Sequence, residues 1–204
     1  MQIDLFRNTD KSISLEARED IQGLEVYQEF INHSEEKDLL NKIDNSLWMN
    51  DLSRRVQHYG YKYDYRARKI NHSFYLGALP DWLSLLAERI LSQKLIDFIP
   101  DQAIINEYVS GQGIAPHIDC EPCFGDTIIS LSLGSTCIMN FEKKPNSSNK
   151  IELFIEPRTL IIMKNESRFN YYHGIPNRKS DKFNGNVHKR GRRVSITFRK
   201  VKIN

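Results

Sequence analysis

The chain has 204 residues, 40% hydrophobic and 27% charged, with a formal net charge of +3. That composition excludes a disordered chain, and the length suits one domain with a sizeable core. No apolar run reaches the ~20 residues of a membrane span. Met1–Asp10 is charged throughout and lacks the apolar stretch of a secretion signal, and an odd cysteine count argues against a disulfide scaffold, so a cytoplasmic protein is expected.

The first half carries the helices. Ser34 is a candidate cap for a helix with Glu35 and Glu36 in its first turn, favourable against the helix dipole. Leu39, Leu40, Ile43 and Leu47 then fall on one face. A second helix is predicted from Pro80–Asp81, with Trp82, Leu85, Leu86 and Ile90 as its apolar stripe. Between the two, Arg54–Lys69 reads as extended and exposed.

After Pro100 the pattern changes to strands. Ala103–Val109, Thr127–Leu133, Cys137–Phe141, Ile151–Ile155, Thr159–Met163 and Arg193–Val201 are the predicted ones, with a polar loop at Lys143–Lys150. Helices followed by many short strands predict an antiparallel sandwich or barrel with helices on one side, for which a jelly roll fits.

His117 and Asp119 lie two apart in an extended stretch, so their side chains share a face. A third ligand would complete a 2-His-1-carboxylate set, which leaves open positions on an iron. His173 and His188 are the candidates. His188 is crowded by Lys189, Arg190, Arg192 and Arg193, a costly setting for a dication, so His173 is the choice. In the last strand Val194, Ile196 and Phe198 form one face and Arg193, Ser195, Thr197 and Arg199 the other. That polar face is either solvated or the wall of a site for a small dicarboxylate, since arginine grips carboxylates in bidentate fashion. Six residues of strand separate the two arginine Cα atoms by about 20 Å, so both reach one ligand only by leaning together. Asn106 and Tyr108 share a face of an earlier strand and can finish the carboxylate contacts.

These residues resemble the AlkB dioxygenases: Asn106-x-Tyr108 with Gly111, His117-x-Asp119, His173-Gly174, then Arg193-x5-Arg199, in the family order, over roughly Leu24 to Val201. The resemblance implies a mainly β fold with flanking helices, a double-stranded β-helix core over 101–204, and an N-terminal helical and lid extension over 1–100, in one domain. It implies Fe(II) held by His117, Asp119 and His173, which are then the catalytic residues, and 2-oxoglutarate and O2 as cosubstrates. Arg193 with Tyr108 would hold the distal carboxylate of 2-oxoglutarate. Arg199 with Asn106 would sit near its iron-chelating end. Ser195 departs from the asparagine of the founding bacterial member. With Asp126–Ser135, Glu166–Arg168 and Lys189–Gly191 it resembles the branch that hydroxylates a modified wobble uridine in tRNA, and the stand-alone bacterial proteins near it. That branch adds RNA-binding and methyltransferase domains, and these 204 residues hold neither.

Arg54–Lys69 interleaves bases and aromatics. If extended, Tyr59, Tyr61, Tyr63 and Tyr65 share a face. They either pack on the core or stack bases while the cations, Arg55 and Lys62 among them, neutralise phosphates. The resemblance selects the second, a substrate lid that takes DNA or RNA. By the same resemblance Glu121 faces the base and accepts from an exocyclic amine, the alternative being a solvated glutamate. Cys120 and Cys123 form a C-x-x-C without a second pair and read as free thiols. The functional expectation is a monomeric, membrane-free dioxygenase that demethylates alkylated bases. Hydroxylation of a wobble base, or action on protein or a small molecule, are the alternatives.

Overall fold

The computed structural model describes residues 15–17, 20–50, 53–144 and 149–203. The reading of Met1–Asp10 lies outside the described residues, as does the middle of the loop at Lys143–Lys150.

Helix α1 spans His33–Asp44, and its cap is Asn32 rather than Ser34. The Asn32 side chain accepts from the Glu35 N–H at 3.0 Å, and the Glu35 carboxylate accepts from the Asn32 N–H at 2.7 Å. This reciprocal box needs an acidic or amide residue three positions on, and from Ser34 that position is Lys37. Leu47 lies beyond the helix end and is 94% exposed, so it is no part of the expected stripe. Helix α2, Asp81–Ser92, begins after Pro80 and buries Leu83, Leu86, Ala87 and Ile90. Trp82 and Leu85 are only half-buried.

Thirteen strands occur among the described residues. They are β1 Leu15–Ala17, β2 Leu24–Tyr27, β3 Val56–Tyr59, β4 Gln102–Tyr108, β5 Ile114–His117, β6 Phe124–Gly134 and β7 Cys137–Glu142, then β8 Ile151–Ile155, β9 Leu160–Met163, β10 Tyr172–Ile175, β11 Ser180–Phe183, β12 Asn186–Lys189 and β13 Arg193–Val201. A short helix α3, Asn165–Phe169, precedes β10. A seven-stranded sheet runs β1-β2-β9-β6-β13-β4-β3, a four-stranded one β5-β10-β7-β8, and β11–β12 form a hairpin. This is the mainly β jelly roll with flanking helices that the sequence predicts. Three strands from the first hundred residues (β1, β2 and β3) belong to the large sheet, so that region supplies wall as well as helices.

Period-two alternation separates the two faces of the large sheet. Val194, Ile196 and Phe198 join Ile105, Leu131 and Ile162 against Leu39, Leu86 and Ile90 of the two helices. The opposite face carries Arg193, Ser195 and Arg199, whose Cα partners are Tyr108, Asn106 and Gln102 on β4. On β6 the same three pair with Gly134, Ser132 and Ile128. One face of the sheet is therefore apolar toward the helices, and the other sets a polar strip on β4 and β13 beside an apolar cluster of Val26, Ile128, Ile161 and Met163 packed on Met139, Phe141 and Ile155 of the four-stranded sheet.

Candidate active site

Strand β5 ends on His117 and β10 carries His173. Their antiparallel register makes the two residues Cα partners, with ring centroids 4.4 Å apart. Gly174 permits this approach, since a Cβ there would stand 2.8 Å from the Pro116 nitrogen. Asp119 follows two residues after His117, and its Oδ2 lies 3.7 Å from His173 Nε2. One ligand atom from each of the three falls within 4.8 Å of the others. His117 Nδ1 is 2.9 Å from the Ala115 carbonyl. A carbonyl can only accept, so Nδ1 carries the proton and Nε2 keeps a free lone pair.

Burial pushes the Asp119 carboxyl up, but the Arg199 guanidinium beside it leads the opposing charges that hold the group well below the carboxylate range. Arg199 Nη2 donates to Asp119 Oδ1 at 2.6 Å. Burial first, and His117 second, lower His173 to about 3, so its ring is neutral with a lone pair to give. Two imidazoles and one carboxylate on one side of a cavity form the donor set that suits Fe(II) with open positions.

That cavity has a volume of about 660 Å³, and Asn106, Tyr108, Arg193, Ser195 and Arg199 line it together with His117, Asp119 and His173. Both arginines thus reach one space despite their separation along β13. Arg193 is 4% exposed, and among the described residues no carboxylate pairs with it. Its Nε donates to Ser132 Oγ at 2.9 Å, and its guanidinium lies 5.5 Å from the centre of the Tyr108 ring. A buried cation without a counter-ion is costly, so a cavity built this way suits an anionic ligand. Arg199 Nε is likewise buried without a partner.

Arg199 and Asn106, expected near the iron-chelating end of 2-oxoglutarate, both line this cavity. The β4–β13 register sets Asn106 opposite Ser195 and Arg199 opposite Gln102. Arg199 contacts Asp119 and Gln102. Asn106 Oδ1 accepts from Arg54 Nε at 2.8 Å.

The Arg54–Lys69 segment is not one extended strand. Gly60, at φ +74, closes β3 where a Cβ would lie 1.9 Å from the Asp101 carbonyl. The four tyrosines therefore do not share a face. Tyr59 pairs with Ala103 on the helix side and meets Trp82 edge-on at 5.7 Å. Tyr61 packs on Tyr75 at 5.0 Å, and the Lys62 N–H donates to the Phe74 carbonyl. Arg55 faces the helix side, where Glu107 accepts two hydrogen bonds from it. Arg55, Tyr59, Tyr61 and Lys62 thus stand away from the cavity, contrary to expectation. Tyr63 and Glu121 line it. So does Tyr65, expected among the stacking tyrosines, and so do Arg54 and Arg68, which the sequence did not single out within the segment. The turn at Gly60 was the available signal, because it resets the alternation. His188 sits on the β11–β12 hairpin, its ring 4.7 Å from Phe154.

Cys120 and Cys123 are not free thiols: they form a disulfide, with Cα atoms 5.2 Å apart. The N–H groups of Cys123 and Phe124 both donate to the Cys120 carbonyl, and this tight turn brings the pair within bridging reach. Arg168 is the second omission. It is buried on α3 and donates to the backbone carbonyls of Asp119 at 3.0 Å and Gly125 at 3.2 Å. Nothing in its local pattern separates it from an exposed helix cation.

A family model described as the 2OG-Fe(II) oxygenase superfamily matches residues 16–199. The chain is 38% identical to an Arabidopsis thaliana protein named alkylated DNA repair protein ALKBH8 homolog, over 89% of this chain and 59% of that one. It is 37% identical to the mouse tRNA (carboxymethyluridine(34)-5-O)-methyltransferase ALKBH8, over 88% of this chain and 30% of that one. The chain thus spans about three fifths and one third of these two relatives. The solved structure of OsALKBH1 superposes with a TM-score of 0.69 at 17% identity, over 92% of this chain and all of that one, and shares the fold.

Proposed function

The chain belongs to the AlkB family of the 2OG-Fe(II) oxygenase superfamily, and from that premise we propose that it oxidises alkyl groups on nucleic-acid bases, demethylating alkylated DNA or RNA. In this reading residues 1–204 act as one monomeric catalytic unit. His117, Asp119 and His173 hold the iron, and Arg193 with Tyr108 holds the distal carboxylate of 2-oxoglutarate. When bound, Fe(II) and 2-oxoglutarate supply the oxidising chemistry, with O2 consumed and succinate, carbon dioxide and a hydroxylated substrate carbon formed.

The protein's own work is positioning and exclusion. Arg199 keeps Asp119 ionised and aimed, and His117 is fixed in one tautomer by Ala115. The buried polar face of β13 removes water from the cosubstrate, where charge–charge contacts strengthen. A hydroxymethyl group on a base nitrogen then loses formaldehyde and restores the base. A base in a duplex must leave its stack to reach the cavity.

The observation that carries the nucleic-acid reading is the cavity lining, where Tyr63 and Tyr65 stand with Arg54 and Arg68. Rings stack bases and guanidinium groups take phosphates, a pairing that a protein or small-molecule substrate does not require. A second reading, hydroxylation of a modified tRNA wobble base, draws on the likeness to the mouse protein, whose name gives a tRNA uridine at position 34 as its target and methyl transfer as its reaction. There the oxidised carbon is bonded to carbon, and the hydroxyl stays.

The test incubates the enzyme with methylated DNA, methylated RNA and total tRNA, and follows nucleosides by mass spectrometry. Loss of a methylated base with formaldehyde release supports the first reading, and a gain of one oxygen in a tRNA nucleoside the second. No cosubstrate-dependent change in any pool rejects both.

A further inference from the structure

The turn that follows Asp119 is also where the lid segment lands. Cys120 lines the cavity. The Arg68 carbonyl oxygen lies 3.3 Å from both Cys120 Sγ and Cys123 Sγ. The Tyr63 ring packs 5.5 Å from Phe124, the residue after the pair. The segment's far end therefore rests on these two sulfurs, while the Asp119 carboxylate is held by Arg199 from β13.

Disulfide sulfurs carry no proton, so neither can donate to the Arg68 carbonyl. As thiols, each gains a proton that it can donate to the neighbouring carbonyl. We propose that Cys120 and Cys123 are a redox-modified pair that sets how firmly the 63–69 segment is anchored over the cavity. The dithiol anchors it through S–H donation to Arg68, and the disulfide releases it. The proposal rests on the reading that this segment covers the site, and requires nothing of the substrate's identity. The oxidant is a low-molecular-weight disulfide such as glutathione disulfide, arriving through the cavity that Cys120 lines. One cysteine sulfur bonds to a sulfur of the oxidant, whose bond breaks to release one thiol. The second cysteine then displaces the other half. The pair loses two electrons and two protons, and two thiols leave carrying them.

The experiment equilibrates the full chain in glutathione buffers of graded reduced-to-oxidised ratio. Alkylation with mass spectrometry reads the pair's state, and amide exchange of peptides over 60–70 is measured on the same samples without nucleic acid. All three cysteines are buried, but Cys120 lines the cavity and Cys137 does not, so Cys120 and Cys123 should titrate together while Cys137 stays reduced. Exchange over 63–69 should be about fivefold slower in the dithiol form, the factor two weak hydrogen bonds supply. C120S/C123S, whose hydroxyls still donate, should exchange slowly in every buffer, and C120A/C123A fast in every buffer. Substrate-free turnover of 2-oxoglutarate should be equal in both wild-type states. Equal exchange in the two states overturns the proposal, and so does a pair that resists oxidation in glutathione disulfide. Altered substrate-free turnover would move the effect to Asp119 and overturn it as well. If the double variants do not fold, the wild-type measurements decide alone.

Discussion

His117 and His173 are Cα partners across β5 and β10, with ring centroids 4.4 Å apart, so one strand register creates two thirds of the donor set. Residues 56 positions apart in the chain are thereby fixed by backbone hydrogen bonds rather than by side-chain packing alone. Asp119, just past the strand end, takes its direction from Arg199.

Removing His173 should therefore remove the site. We expect His173→Ala to lose at least about 100-fold in Co(II) affinity by calorimetry, since loss of mere supporting partners costs 10–100-fold. His188→Ala, on the hairpin beside Phe154, should bind as the wild type does. The reverse pattern would reassign the third ligand.

How far the sequence could be read follows from which signals are local. The β13 alternation gave the face carrying Arg193 and Arg199, because period two is written in neighbouring residues. The helix cores at Leu39, Ile43, Leu86 and Ile90 were legible for the same reason. Leu47 failed because a periodicity does not mark its own end, and Tyr59 failed because Gly60 turns the chain. Arg54 and Arg168 were not singled out because their partners, Asn106 and the Asp119 carbonyl, are distant in sequence.

Arg193 is a buried cation with no carboxylate partner among the described residues, so its loss should be felt by the cosubstrate. Truncating one side of a buried charge pair costs ~2–5 kcal/mol. Arg193→Met should raise the KM for 2-oxoglutarate by at least about 30-fold, and Arg193→Lys should restore little, lacking the planar fork. Unchanged KM values would take the carboxylate away from Arg193.

The cavity lining, which includes Tyr65 and not Tyr59, should discriminate among the tyrosines. Tyr65→Ala is expected to weaken oligonucleotide binding by ~1–3 kcal/mol, the worth of a base stack. Tyr59→Ala, whose ring meets Trp82, should lower stability and leave affinity alone. Arg68→Ala should flatten the dependence of affinity on salt by about one phosphate contact. Equal effects of Tyr59→Ala and Tyr65→Ala on fluorescence-anisotropy titrations would refute the assignment.

Asp181 ties the β11–β12 hairpin to the small sheet. Its carboxylate accepts from Arg190 at 2.6 and 2.7 Å, from Arg178 at 2.7 Å and from the Ile138 N–H at 3.2 Å. Burial raises this carboxyl, and the bonds to Arg190 and Arg178 overcome that and hold it below the aspartate range. A carboxyl lowered on folding stabilises the protein above its unfolded pKa, and the contribution fades as pH falls through the folded value. Urea midpoints should therefore be flat at neutral pH and drop below about pH 4. Asp181→Asn should cost ~3–5 kcal/mol at pH 7 and largely remove that acid slope. An unchanged slope would place the acid sensitivity elsewhere.

Arg168 offers the last test, because it acts on a ligand through its backbone. Its guanidinium donates to the carbonyls of Asp119 and Gly125, and lies 3.5 Å from that of Cys120. Burial lowers its pKa while Asp119 opposes the shift, so the group remains a cation beside the carboxylate it helps to place. Arg168→Met leaves those carbonyls without donors, at ~1–3 kcal/mol for each buried group, and frees the Asp119 backbone to drift. A purely structural role predicts a lower Tm with the metal affinity of the folded fraction intact. A positioning role predicts, in addition, a 10–100-fold loss of Co(II) affinity measured well below Tm. We expect the second outcome, with partial recovery in Arg168→Lys, which keeps the charge and one donor direction but loses the fork that spans two carbonyls.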